Sequence, residues 1–222
     1  MELPFIDILR SWVHWIAPET CVHCKKIGNW WCEECKKSIT YELIKSSPRW
    51  YPTWAGDVIG MYSFSQRGVR EAIHRFKFLN QPRWAERLTF PFIPSILKLF
   101  NQLHPSSLVP VPLHSSRKRS RGYNQAELIA IELQKITGIP LCYAHRHVRT
   151  QQQALISSDL KRHFNVFNSI SLTEHPGARA LLIDDVCTTG ATLGALAHAF
   201  PVNCHPCGAL VLALAPPHTK FL

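Results

Sequence analysis

Negative charge is scarce in this chain, and long apolar runs, low-complexity tracts and internal repeats are missing from it. Asp and Glu number 15 against 25 Lys and Arg, a formal charge of +10. That deficit leaves an anionic partner as the electrostatic fit: nucleic acid, a phosphorylated small molecule or an acidic membrane surface. No stretch approaches the roughly 20 consecutive apolar residues that span a bilayer. The opening segment MELPFIDILRSWVHWIAPE has helical spacing at Leu3, Ile6, Leu9, Val13 and Ile16, but Asp7, Arg10 and His14 interrupt it. It reads as a helix docked on the protein's own core. It also lacks the basic start and small-residue cleavage site of a secretory signal. The expected compartment is therefore the cytoplasm, where 8 cysteines point to metal binding or burial rather than to disulfides. The absence of any G-x-x-x-x-G-K-[ST] loop removes a nucleotide-hydrolase reading. With 46% hydrophobic and 18% charged residues, disorder is excluded too.

What is present divides into two regions. Residues 1–50 hold the amphipathic start and four closely spaced cysteines, and SSPRWYPTW (46–54) reads as a linker into a domain spanning 51–222. Strands are expected at 57–64, 107–113, 139–145, 178–186 and 208–215. Helices are expected after residue 67, from about residue 83 with a bend or break at Pro91 and Pro94, over 123–138 ending at Gly138, and over 191–200. The strands are continuously apolar and separated by helices. That pattern predicts an α/β fold, a mostly parallel sheet with helices on both faces.

The stretch LLIDDVCTTGATLGALAHAF (181–200) concentrates the chemistry. In such sheets ligands bind outside the carboxyl ends of the strands. Asp184 and Asp185 sit at one of these ends, and Cys187, Thr188, Thr189, Gly190, Ala191 and Thr192 lead into the next helix. Free backbone N–H groups and the helix dipole favour an anion there. Glycine permits close approach and the threonine hydroxyls add donors, so the turn suits a phosphate. The carboxylates would repel that phosphate. They suit neighbouring hydroxyls, or a hard cation such as Mg²⁺ held largely through water. A phosphorylated ribose meets both demands. The plainer alternative is a buried strand end with an Asx-type turn and an N-cap threonine.

The run ALLIDDVCTTGAT resembles the signature of type I phosphoribosyltransferases, enzymes that use 5-phosphoribosyl 1-pyrophosphate (PRPP). The resemblance implies that Asp184 and Asp185 are the catalytic acids and bind the ribose hydroxyls. It implies that Thr188, Thr189, Gly190 and Thr192, with the backbone of Cys187 and Ala191, hold the 5′-phosphate, and that Mg²⁺ accompanies PRPP. Cys187 departs from the aliphatic or aromatic residue usual at its position. A narrower resemblance, to the competence protein F (ComF) family, is carried by GMYSFSQRGVREAIHRFKF (60–78), LVPVPLHSSRKRSRGYNQAELIA (108–130) and RTQQQALISSDLKRHFNVF (149–167), together with the four-cysteine start. It implies a cytoplasmic role in natural transformation, with single-stranded DNA and proteins of the DNA-uptake machinery as partners. His114 stands where the superfamily's pyrophosphate loop sits. Arg117, Lys118, Arg119 and Arg121 supply positive charge for pyrophosphate or a DNA backbone. Asn124 and Gln125 are expected to reach a ligand across the strand ends. Residues 149–165 correspond to a flexible loop that closes over the site, with Gln152, Arg162 and Asn165 as contacts. A non-catalytic DNA-binding adaptor that keeps a regulatory PRPP pocket, and a nucleobase salvage enzyme, are the alternatives.

Cys21, Cys24, Cys32 and Cys35 form two C-x-x-C pairs, the spacing of a small zinc knuckle. Four thiolates leave no open coordination position, so the zinc is expected to be structural, with iron as the competing metal. Cys204 and Cys207 form a lone C-x-x-C that reads as small residues leading into a strand, and Cys142 and Cys187 as burial. Trp30, Trp31, Trp50, Tyr51 and Trp54 are either glue between the knuckle and the main domain or a stacking platform for single-stranded DNA. Arg67, Arg70, His74, Arg75 and Lys77 would track the DNA backbone.

Overall fold

The computed structural model describes residues 18–46, 56–79, 81–147 and 170–215. In chain order these form α1 (Glu33–Lys36), β1 (Ile44–Ser46), β2 (Val58–Ser63), α2 (Val69–Phe78) and α3 (Trp84–Thr89). A 3₁₀ turn (Phe90–Phe92) leads into α4 (Ile93–Leu103), β3 (Ser107–Pro110), α5 (Ser115–Arg121) and α6 (Gln125–Thr137). Then come β4 (Ala144–Arg146), β5 (Ile170–Leu172), β6 (Arg179–Cys187), α7 (Ala191–His198) and β7 (His205–Leu214).

The main sheet runs in the order β1-β2-β7-β6-β3. The pairs β2–β7, β7–β6 and β6–β3 are all parallel, as the continuous apolar strands require. Side-chain alternation along β6 divides the core between two faces. Leu181 and Ile183 join the buried cluster under α2, α3, α4 and α6, while Ala180 and Leu182 join the one under α7 and the small β4–β5 ribbon. Both faces are covered.

The helices start and stop where local chemistry dictates. The Asn124 carboxamide oxygen accepts from the Ala126 amide at 3.1 Å, capping α6, which ends at Gly138 with φ 71°. Pro91 lies in the 3₁₀ turn and Pro94 in the first turn of α4, where a missing N–H costs nothing, so the expected break is a change of helix type.

Two features differ from expectation. The stretch 139–145 is not one strand. Leu108 donates to the Pro140 carbonyl and accepts from Cys142, both at 2.9 Å, and the chain then leaves the sheet to pair β4 with β5 antiparallel. Pro140 has no N–H to extend a ladder. In addition, residues from the cysteine-rich region add β1 to the sheet edge, antiparallel to β2 with Ile44 opposite Gly60.

That region is anchored through its core. Cys21, Val22, Trp31 and Ile39 belong to the same buried cluster as Met61, Tyr62 and Phe92. Trp31 stacks on Tyr62 at 6.1 Å and meets Trp30 edge-on at 5.5 Å, and Trp30 meets Trp84 at 5.0 Å. Trp31 is 1% exposed, so it is glue and offers no face to a DNA base. Trp50, Tyr51 and Trp54 lie outside the described residues.

Gly68 sets the seam. It precedes α2 in the left-handed conformation, φ 83°, and a Cβ there would stand 3.2 Å from atoms of Val22, His23 and Trp31. Gly68→Ala is expected to lower unfolding stability by about 1–3 kcal/mol, combining backbone strain with crowding. Urea unfolding followed by tryptophan fluorescence reads this directly; an unchanged midpoint would contradict the seam.

Candidate functional site

At their carboxyl ends β3 and β6 send the chain in opposite directions. The chain leaving β3 passes through α5 into α6 on one face, and the chain leaving β6 enters α7 on the other. A crevice opens where adjacent strands diverge in this way. Asp184 and Asp185 lie near the carboxyl end of β6. The turn from Thr188 to Thr192 follows, with Gly190 in the left-handed region at φ 75° just before α7. The Gly194 amide donates to the Gly190 carbonyl at 2.8 Å, beginning the helix, and the Thr189 hydroxyl oxygen accepts from the Ala191 amide at 3.4 Å. Cys187 is buried, Ala191 and Thr192 are half-buried, and Thr188 and Thr189 are exposed. The amides of a helix start and the two exposed hydroxyls suit an anion.

The acids are embedded among cations. Asp185 Oδ2 lies 3.0 Å from Lys77 Nζ, and their side chains are only 14% and 20% exposed, so this is a largely desolvated pair. Asp184 Oδ1 accepts the Asp185 amide at 2.8 Å. Burial, and then the neighbouring Asp185 charge, raise the Asp184 carboxyl to about 7; Lys77 and Arg146 oppose the shift. Arg121 is half-buried. Burial lowers its pKa, and Asp185 acts in the other direction. Arg146 on β4 is lowered by burial and by Arg117, while Asp184 holds it up. Lys77 thus pairs with Asp185, while the charges of Arg121 and Arg146 are felt by Asp185 and Asp184 respectively. Sequence reasoning placed Lys77 only among DNA-tracking residues and missed Arg146. Lys77 follows the buried Phe76 in a helical stripe, a usable signal, but nothing local marks Arg146.

The remaining candidates have definite places. The His114 side chain caps α5, its Nδ1 accepting from the Ser116 amide at 3.2 Å. Arg117 and Arg119 are exposed, and Lys118 pairs with Glu127 at 3.2 Å. Asn124 and Gln125 are buried, 7% and 1% exposed. Asn124 donates to the Val111 carbonyl at 2.9 Å, and Gln125 donates to the Phe76 carbonyl and accepts from Arg121. Both shape the crevice by holding the protein to itself. Arg75 likewise bonds Glu71 at 3.0 Å and the Thr20 carbonyl at 3.1 Å. Gln152, Arg162 and Asn165 lie outside the described residues.

At the far end of the chain's described part, the Cys21, Cys24, Cys32 and Cys35 sulfurs lie within 4.8 Å of one another, and Cys24 Sγ is 3.6 Å from Cys32 Sγ. A tetrahedral Zn–S₄ centre with bonds of about 2.3 Å needs edges of about 3.8 Å, so the set fits zinc. Burial alone would raise the Cys21 thiol, but hydrogen bonds from Cys32, Cys24 and His23 bring it down to about 6. Elsewhere, Cys187 is buried, burial and then Asp184 raising its thiol to about 12. Cys204 is buried with its sulfur 3.2 Å from His175 Nε2.

No model of a known protein family matches the chain. Among curated proteins it is 30% identical over 182 residues to "Competence protein F" of Haemophilus influenzae, covering 78% of this chain and 74% of that one. It is 30% identical over 128 residues to "Competence protein ComFC" of Bacillus subtilis, covering 56% of this chain and 50% of that one. Among solved structures, a purine phosphoribosyltransferase from Pyrococcus horikoshii overlaps 63% of this chain and 91% of its own at TM-score 0.32 and 13% identity, a likeness too slight to carry an argument. No helix among the described residues is long and apolar enough to cross a membrane.

The raised Asp184 carboxyl has a stability consequence. The folded state holds its proton up to about 7, whereas the unfolded chain releases it near the ordinary value of 3.8. Stability from this group is therefore lost as pH rises through that window and stays low above it. Asp184→Asn keeps the acceptor oxygen and removes the charge. Its gain in melting temperature is expected to be larger at about pH 8 than at about pH 5; an equal gain at both would contradict a desolvated carboxylate.

Proposed function

Because the chain belongs to the competence protein F family, we propose that it binds PRPP in the crevice beyond β3 and β6 as a phosphoribosyltransferase-like protein of the cytoplasm that handles incoming single-stranded DNA during natural transformation. The observation that carries this reading is the joining, at one strand end, of the turn into α7 with two acids, one paired with Lys77 at 3.0 Å and both within the field of Arg121 or Arg146. The turn takes the 5′-phosphate through the amides at the start of α7 and the hydroxyls of Thr188 and Thr189. Asp184 and Asp185 accept from the ribose hydroxyls. Arg117 at the start of α5 faces the pyrophosphate, and the exposed Arg119 extends that charge toward a DNA backbone. Mg²⁺ bound with PRPP would neutralise pyrophosphate oxygens. The four thiolates hold zinc in a structural role that fixes the knuckle against α2.

Two measurements test this. Replacing both acids, Asp184→Ala with Asp185→Ala, is expected to abolish PRPP binding in calorimetry with Mg²⁺ while leaving zinc content intact. Native protein that gives no heat with PRPP would overturn the reading. Separately, Cys24→Ser is expected to lose its zinc by elemental analysis and to lower the melting temperature, because a structural site contributes folding energy outright. Full stability without metal would remove zinc from the account.

A further inference from the structure

Phe78, one residue past the lysine that pairs with Asp185, is a large apolar side chain left on the surface, 58% exposed. Helix α2 buries Val69, Ala72, Ile73 and Phe76. A residue two positions past Phe76 lands about 200° round the helix, on the solvent side. One exposed phenylalanine needs no explanation by itself; its neighbours are what set it apart. The Arg121 guanidinium carbon lies 5.2 Å from the Phe78 ring centroid, and the His74 ring is 4.9 Å away, tilted by 45°. The preceding residue, Lys77, holds Asp185.

This arrangement is held in place from beneath. Arg121 donates to Gln125 Oε1 at 3.3 Å. Gln125 and the Tyr123 hydroxyl both donate to the Phe76 carbonyl, and the Gln81 amide donates to the Tyr123 oxygen at 3.1 Å. The last turn of α2 is thus clasped by the corner between α5 and α6, which fixes the ring and the guanidinium relative to the crevice. Trp31 is committed to the core and Trp30 packs against it, whereas this ring is presented.

Resting on the ribose-phosphate reading of the crevice, we propose that Phe78 and Arg121 form a stacking platform for a nucleobase at the rim beside Asp185. Aromatic rings and arginine planes both stack on bases, and such stacking carries little base identity. The platform therefore takes purines and pyrimidines alike. The base arrives either on a free nucleotide or on single-stranded DNA, whose phosphates the exposed Arg117 and Arg119 would meet.

The test compares ligands with and without a base on the full-length protein, on Phe78→Ala and on Phe78→Trp. One pair is adenosine 5′-monophosphate against ribose 5-phosphate. The other is a short oligothymidylate against an abasic oligomer of equal length. The base-dependent affinity ratio is expected to fall about tenfold in Phe78→Ala and to return in Phe78→Trp. A fall confined to the first pair assigns the platform to free nucleotides; one confined to the second assigns it to the strand. Unchanged ratios in both pairs overturn the proposal. If neither ribose 5-phosphate nor the mononucleotide binds the native protein, the ribose-phosphate reading fails and the oligomer pair alone decides the platform.

Discussion

Two carboxylates at the end of a buried strand have to be neutralised, and the arrangement of the surrounding elements follows from how this is done. Being consecutive, Asp184 and Asp185 leave β6 on opposite sides. Asp185 meets Lys77 from α2, and Asp184 lies in the field of Arg146 from β4. A largely desolvated ion pair is weak evidence for stability, but removing one partner leaves a stranded charge. Lys77 is therefore constrained to its place, and with it the whole of α2.

That constraint links the crevice to the cysteine knuckle. Helix α2 is tied to it by Lys25 with Glu71 at 3.3 Å, by Arg75 on the Thr20 carbonyl, and by the close fit of Gly68 against Val22, His23 and Trp31. Arg87 on α3 adds a contact to Glu19 at 2.7 Å. The exposed ion pairs contribute little each, so the seam depends on the buried aromatics and on the knuckle keeping its shape. A metal that closes the four thiolates would act on the distant crevice mechanically, through the position of one helix.

Much of this was legible in the sequence, for identifiable reasons. The strands of the parallel core are short apolar runs bounded by turns, and β2, β6 and β7 fall where those runs predict. The end of helix α6 is marked by Gly138, a local signal. The acid pair and threonine turn were readable because their chemistry is contiguous in the chain. Lys77, Arg146 and the Phe78–Arg121 contact were not, since each depends on segments far apart in sequence meeting across the strand ends. Asn124 and Gln125 suit ligand contacts as far as the sequence shows, since polar residues at a helix start fit that role equally well. Their burial, which only the packing of α6 against β3 reveals, directs them to the Val111 and Phe76 carbonyls instead. The edge strand β1 was missed because a three-residue exposed stretch has no apolar pattern to detect.

Lys77 raises the question of whether it blocks the site it neutralises. An ionised carboxylate offers about four lone-pair positions. Lys77 occupies one on Asp185, and the Asp185 amide occupies one on Asp184. These two contacts do not exhaust the acceptor positions of either acid, and the sugar diol proposed above would donate to the others. The cost that burial imposes on Asp184 then works in favour of such a ligand. Hydroxyl donors stabilise the charged form that desolvation penalises, so the proposed diol would offset part of the cost of burying the acid. A site that holds its carboxylates in this way is unfavourable for an empty fold and favourable for an occupied one.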